Sequence, residues 1–266
     1  MAILFARLPV GVGLPPTPLE YLERFAKHPR SGDVKPATAR GNLSLADRMT
    51  PARDQGSLGT CASFATISCL EYFVQLDLSE ACLTHESEKD YGDCVAGADL
   101  GRTFTMCHDE GVVRDAEWRY DGVQVCWTNP PDVSGSTRYK FDDIWLVWAP
   151  NNDGTRGDPI PLIKAVLENL RVPVAVGLPV FKKADDQLDA GWEMGPDIRM
   201  PTPINRDLLV REQHYHAIAI CGYDDDKSRF DFKNSWWGPG WGRRGFGTIP
   251  YEYIRAFATE AYAGTL

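Results

Sequence analysis

Gln55-Gly56-Ser57-Leu58-Gly59-Thr60-Cys61-Ala62-Ser63-Phe64 sets a glutamine amide six residues ahead of a cysteine, with a small, glycine-bearing turn between them. Downstream, Cys61 through Phe73 reads as one long helix running into a core. A cysteine at a helix start meets unpaired backbone N–H groups and the positive end of the helix dipole. Both favour thiolate over thiol, and the thiolate is the nucleophile. The segment therefore predicts an activated nucleophile with an amide donor beside it.

The bulk properties restrict what such a nucleophile serves. A formal charge of −9, with no basic stripe longer than Arg243-Arg244 and nearby Lys233, argues against a nucleic-acid partner. No apolar run approaches the ~20 residues of a membrane helix, so no membrane partner is expected. Arg7 interrupts the apolar Ile3-Leu4-Phe5, and the N-terminus lacks the long apolar stretch of a conventional signal peptide. The expected location is the cytoplasm or, after export by another route, outside the cell. Cysteines 61, 69, 82, 94, 107, 126 and 221 make an odd number, so one at least stays free or pairs between chains. With no CxxC pair, no metal site is expected.

Before the nucleophile, residues 1–45 form a Pro- and Gly-bearing arm with one helical candidate, Thr17 to His28, opened by a Thr17/Glu20 capping box and stopped by Pro29. Residues 46–160 read as a mostly helical lobe, with Gly101–Glu110 closed by Gly111, and residues 121–160 read as irregular. Residues 161–266 read as a β lobe. A short helix over Pro161–Asn169 leads into the buried-strand run Pro173–Leu178. The strands His216–Cys221 and Arg229–Asn234 flank a solvated turn at Asp224-Asp225-Asp226, and Gly245–Pro250 makes a further strand. A helical half followed by a β half gives an α+β protein of two lobes.

A turn centred on Asp225 sets His216 directly opposite Asn234, close enough for an amide–imidazole hydrogen bond. Trp236 would roof that bond and strengthen it by excluding water. This is the nucleophile, base and orienter logic of covalent catalysis. His214 shares the face of His216 but falls opposite Trp236 in that register. His28, His85 and His108 have no partner motif and read as surface residues. Cys69, Cys82 and Cys107 read as inert small hydrophobes, and Trp237 and Trp241 as packing residues.

Gln55…Cys61, the His216-Ala217 strand, Lys233-Asn234-Ser235-Trp236, Gly240-Trp241-Gly242 and Gly245-Phe246 together resemble the papain-like (C1-type) cysteine peptidase family over roughly residues 50–255. The resemblance implies a helical lobe and an antiparallel sheet or barrel with the site in the cleft between them. It implies a thiol peptidase that needs no cofactor. Cys61 would be nucleophile, His216 its imidazolium partner and later the general acid, and Asn234 the orienter of His216. The Gln55 amide and the Cys61 backbone N–H would form the oxyanion hole. By the same resemblance Gly97, Ala98, Gly177 and Tyr215 would touch substrate. Glu260 would floor a pocket for a basic side chain two positions before the cut, against the bland reading of a solvent-exposed carboxylate.

Implied partners are protein or peptide substrates and cystatin-like inhibitors, with the arm at 1–45 as an intramolecular regulator. Two departures from the pattern stand out. Ala62 takes the place of an aromatic residue after the nucleophile. Leu58 takes that of a cysteine, which removes a usual disulfide and suits a reducing compartment or a bacterial-type member. Residues 1–50 are also shorter than the family's helical propeptide. Alternatives within the same fold are a transpeptidase or peptide ligase, in which an amine replaces water, and a catalytically silent binding module.

Overall fold

The structure, a computed structural model, describes residues 40–89, 97–122, 130–150, 156–181, 188–193, 195–202, 215–236 and 238–266. The expected helix Thr17–His28, and His28, Cys94, Cys126, His214 and Trp237, lie outside them.

The long helix begins at the nucleophile candidate, as its sequence predicts. Helix α1 spans Cys61–Val74 and is buried on every side along nearly its whole length. A helix apolar all round belongs inside a protein and not on its surface. It packs on strands of the β lobe as well as on its own helical neighbours. Gln75 ends it in the left-handed conformation (φ 55°), and its side-chain amide donates to the carbonyls of Arg48 and Tyr72. Helix α2 (Glu80–Glu88) is capped by the Ser79 hydroxyl, which accepts from the Cys82 N–H at 2.9 Å. Helix α3 (Leu100–Asp109) is capped in the same way by Asp99. Gly111 then turns the chain at φ 68°, as its expected C-cap role requires.

The β lobe is one antiparallel sheet with strands β1 (Asn42–Ser44), β2 (Asp143–Trp148), β3 (Val174–Pro179), β4 (Tyr215–Asp224), β5 (Arg229–Lys233), β6 (Phe246–Pro250) and β7 (Glu260–Thr265). The spatial order is β2-β7-β3-β4-β5-β6, with β1 added to β4. Helix α4 (Ile160–Ala165), widened into a π turn at Val166–Leu170, precedes β3, and helix α5 (Tyr251–Phe257) joins β6 to β7. Every residue of β3 and β7 is buried, which fits interior strands.

Three expectations are corrected. Residues 121–160 are not uniformly irregular, since Asp143–Trp148 forms β2 and pairs with β7. The run Ile144-Trp145-Leu146-Val147-Trp148 is rich in β-formers but lacks alternation, because both of its faces pack. Second, Asp225 does not sit in a solvated turn. It is buried, with Lys164 Nζ at 2.7 Å, and it accepts from the Tyr251 hydroxyl at 2.7 Å and the Gly41 N–H at 2.8 Å. Its carboxyl is held below the usual range because these donors outweigh its burial. This cluster fastens the first described residues to the tip of the β4–β5 hairpin, beside Asn42–Ser44, which joins the sheet as β1. Third, His85 is half-buried and packs against the Trp118 ring at 5.2 Å.

Candidate active site

The site forms where the start of α1 meets the near ends of β4 and β5. Cys61 opens α1 and is buried. Burial pushes its thiol up to about 11, while the N–H groups of Ala217, Ala62 and Cys61 itself face the sulfur and oppose that rise. Ala217 follows His216 on β4, so the sulfur lies against the strand that carries the histidine.

His216 is buried, and its Nε2 lies 2.7 Å from Asn234 Oδ1. The Ser235 backbone N–H donates to the same Asn234 atom at 2.9 Å, which identifies that atom as the amide oxygen. Nε2 therefore carries a hydrogen and donates it, so the neutral ring keeps its lone pair on Nδ1. Trp236 stacks on the imidazole with centroids 4.1 Å apart and planes 26° apart. On another side Trp192 makes an edge contact at 5.9 Å and 89°. Burial lowers the His216 pKa to about 4, only partly opposed by the Asn234 bond.

The His216–Asn234 bond does not arise from the expected register. The ladder pairs Ala219 with Lys233 and Ile220 with Phe232, then Gly222 with Asp231, leaving Cys221 as an extra residue in β4. Extending the inner register sets His216 level with Trp236 instead of Asn234. The shift is two residues, so the side chains keep their face, and Asn234 reaches the ring as a diagonal neighbour. Trp236 then comes to lie against the ring itself.

Gln55 sits beside this pair with almost every polar group engaged. Its N–H donates to the Ser235 carbonyl at 2.8 Å, and its carbonyl accepts from the Tyr120 hydroxyl at 2.7 Å. Its side-chain oxygen accepts from Ser235 Oγ at 2.6 Å, and its Nε2 donates to the Leu58 carbonyl at 2.7 Å. A primary amide has two N–H groups. The second is left without a partner among the described residues.

Behind the histidine and asparagine lies a buried charge cluster that the sequence reading missed. Lys233 Nζ is 3.6 Å from Glu71 Oε2 and donates to Thr50 Oγ1 at 2.9 Å. Arg53 reaches Glu80 at 3.0 Å, Asp77 at 2.8 Å and Asp115 at 2.6 Å. Glu80 is nevertheless raised to about 8, because burial outweighs an Arg53 charge shared among three acids. Arg53, Ser68, Glu80, Lys233, Asn234 and Ser235 line a cavity of about 10 Å³, roughly the space one water occupies. Trp192, Tyr120 and this cluster had no short-range signature. Each becomes meaningful only once distant segments meet.

The remaining expected residues are buried or half-buried. Gly97 and Ala98 are buried, and a Cβ at Gly97 would lie 2.5 Å from the Gly59 carbonyl oxygen, so this segment presses on the nucleophile loop. Gly177 is buried in β3, paired with Ala217 and Glu260. Tyr215 opens β4 and is half-buried. Glu260 is buried in β7, with the Tyr262 hydroxyl 3.4 Å from Oε2, so it is not a solvent-exposed carboxylate. Cys69, Cys82 and Cys107 are buried and free, as expected of inert thiols. Trp241 packs in the core, its indole N–H donating to the Trp192 carbonyl. Among the described residues no cluster of His, Cys, Asp or Glu could hold a metal.

Comparison with known proteins agrees with this architecture. Solved structures that share the fold include xylellain, a cysteine protease from Xylella fastidiosa, at a TM-score of 0.72 and 19% identity over 99% of both chains. A Carica candamarcensis cysteine protease in complex with E-64 matches at a TM-score of 0.60 and 20% identity, over 85% of this chain and 99% of its own. Among relatives by sequence, an uncharacterized peptidase C1-like protein of Acanthamoeba polyphaga mimivirus is 23% identical over 84% of this chain and 73% of its own length. Cathepsin L of Sarcophaga peregrina is 27% identical over 74% of this chain, which spans 54% of that protein. The family model described as papain family cysteine protease matches residues 41–263, and with that span the chain belongs to the papain family of cysteine proteases.

Proposed function

We propose that the chain hydrolyses peptide bonds through an acyl-enzyme on Cys61, with His216, Asn234 and Gln55 as its working partners. His216 Nδ1 takes the Cys61 proton, and the sulfur attacks the scissile carbonyl carbon. As the tetrahedral intermediate collapses, the imidazolium returns the proton to the departing amine, leaving a thioester. Water then attacks that thioester with His216 as general base, and thiol and carboxylic acid are regenerated. The unpartnered Gln55 N–H and the Cys61 backbone N–H stabilise the oxyanion, where one donor is worth about 10²–10³ in rate. The observation that carries this reading is the Asn234 bond at 2.7 Å, which holds the His216 proton on Nε2 and leaves Nδ1 free to act as base. Burial favours the neutral thiol and neutral imidazole, so proton transfer within the pair, with no net change in its charge, generates the nucleophile.

Active-site titration tests the assignment. Wild type treated with E-64 is expected to gain one inhibitor mass on the peptide holding Cys61, and Cys61→Ala to gain none. Equal labelling of the two would overturn it.

Specificity and regulation are part of the same proposal. Glu260, buried in β7 beside Gly177, is assigned to a basic substrate side chain. Equal relative cleavage of Arg and Leu substrates by wild type and Glu260→Ala would count against it. Residues 1–39 are assigned a regulatory role over the cleft. Because residues 40–45 are fastened to the sheet, the deletion that tests this ends at residue 39, and unchanged turnover would reject it.

A further inference from the structure

The Tyr120 hydroxyl stands between the two ends of the nucleophile loop. It lies 2.7 Å from the Gln55 carbonyl oxygen and 2.8 Å from Thr60 Oγ1. The carbonyl can only accept, so the single phenolic proton goes to Gln55, and the Thr60 hydroxyl donates to the phenol oxygen. Thr60 makes no capping bond to α1 with that hydroxyl, so Tyr120 is its partner. The Tyr120 ring meets Phe64, one turn into α1, edge-on at 4.9 Å. Its own N–H donates to Asp115, which Arg53 grips at 2.6 Å. Tyr120 thus touches the residue that bears one oxyanion donor, the residue before the other donor, and the first turn of the helix that starts there.

We propose that Tyr120 is a positioning residue of the oxyanion hole, its hydroxyl setting the separation between the Gln55 side-chain amide and the Cys61 N–H. The inference rests on the peptidase reading above. The two donors come from opposite ends of a loop that contains two glycines, Gly56 and Gly59, and so lacks stiffness of its own. Tying the Gln55 carbonyl to the Thr60 side chain closes that loop from the outside. Oxyanion stabilisation depends on donors held in place before charge develops, so looser spacing weakens the transition state more than the ground state.

The test separates steps that need an oxyanion from one that does not. Tyr120→Phe is compared with wild type by kcat and KM on a benzyloxycarbonyl dipeptide aminomethylcoumarin. The affinity of the matching dipeptide aldehyde and the rate of Cys61 alkylation by iodoacetamide are measured beside them. Loss of one neutral hydrogen bond predicts a fall of about five- to tenfold in kcat, with KM within about twofold. Aldehyde affinity, which depends on a tetrahedral oxyanion, is expected to fall by the same factor. Alkylation at a saturated carbon develops no oxyanion and is expected to keep its wild-type rate. Thr60→Val, which keeps the shape and removes the second bond, is expected to move kcat in the same direction by less. Adding it to Tyr120→Phe is expected to cost nothing more.

Unchanged kcat and aldehyde affinity in Tyr120→Phe would overturn the proposal. So would alkylation falling in step with kcat, which marks a general disturbance of Cys61. A wild type that neither turns over peptide nor alkylates at Cys61 would instead sink the peptidase reading itself.

Discussion

Trp236→Ala is predicted to move the acid limb of Cys61 reactivity upward by about one pH unit. His216 is held from its ordinary 6.5 down to about 4, and burial is the larger cause. At ~1.4 kcal/mol per pH unit, this disfavours the buried imidazolium by about 3 kcal/mol. Two indoles cover the ring: Trp236 stacked at 4.1 Å and Trp192 edge-on at 5.9 Å. Removing the stacked one hydrates one face and returns about a third to a half of that cost, or roughly one pH unit. Trp236 is the informative choice because it is only half-buried, whereas Trp192 sits in the core among Phe232 and Tyr253.

The assay is the second-order rate of alkylation by iodoacetamide as a function of pH. Below the imidazole pKa, His216 is already protonated while the thiol is still protonated, and no base remains to take the thiol proton. The wild-type acid limb is therefore expected near 4, and that of Trp236→Ala near 5. The same pKa bears on stability. A folded pKa below the unfolded one contributes stability that is present above pH 6.5 and lost as the pH falls through 4. Urea unfolding of Trp236→Ala is accordingly expected to depend less on pH across that window. A wild-type limb at or above 6, or an unmoved limb in the variant, would refute the reasoning.

Other perturbations follow from single contacts. Asn234→Ala removes the bond that fixes the His216 tautomer and is expected to lower kcat/KM about 10- to 100-fold, the worth of a hydrogen bond to a group that becomes charged. Gly245→Ala introduces a Cβ 2.1 Å from Ala52 Cβ at a residue with φ 87°, and is expected to cost about 2–4 kcal/mol in thermal unfolding. Pairing it with Ala52→Gly should recover part of that loss, and no recovery would discount the clash. Glu80 is raised to about 8 from 4.5, so its neutral form supports the fold below pH 4.5 and that support is lost as the pH rises through 8. Glu80→Gln is therefore expected to be the more stable protein in urea at pH 9, and equal at pH 4. A less stable variant at pH 9 would mean that the Arg53 pair outweighs the burial of the carboxylate.

How far the sequence revealed this site depended on the range of each signal. Cys61 and Gln55 were legible because their relation is local: a helix start, a small-residue turn and six residues of spacing. The strands about His216 and Asn234 were legible from their apolar pattern, but the register was not. The hairpin closes between Asp224 and Arg229, three residues off a turn centred on Asp225, and the extra residue at Cys221 takes one back; neither leaves a mark in composition. The face survived because a two-residue shift preserves side-chain alternation. That is why Asn234 meets His216 although they are not direct partners. Asp225 was misread for a related reason. Three adjacent acids in a turn look solvated until Lys164 and Tyr251 arrive from elsewhere in the chain. Trp192 and Tyr120 carried no motif, since each acts only through neighbours far away in sequence.

These long-range contacts explain why the site needs both lobes at once. Gln55 and Ser235 are joined twice, by the Gln55 N–H to the Ser235 carbonyl and by Ser235 Oγ to the Gln55 side chain. One residue before Asn234, Lys233 crosses the same seam to Thr50 and Glu71. Lys233 and Ser235 thus face the segment 50–55, with a buried ammonium on Thr50 and a latch on Gln55, while Asn234 between them holds His216. Burying Glu71, Glu80 and Lys233 is costly by itself, and an apolar seam of the same volume would often be as stable. An apolar seam slides, whereas charges and hydrogen bonds have one satisfied register. With Gln55 and Cys61 on one lobe and His216 and Asn234 on the other, this polar seam ties the two together. Tyr120 closes the remaining degree of freedom on the helical side. The seam thus joins the segment that carries Gln55 to the strand end that carries Asn234 through bonds of defined geometry.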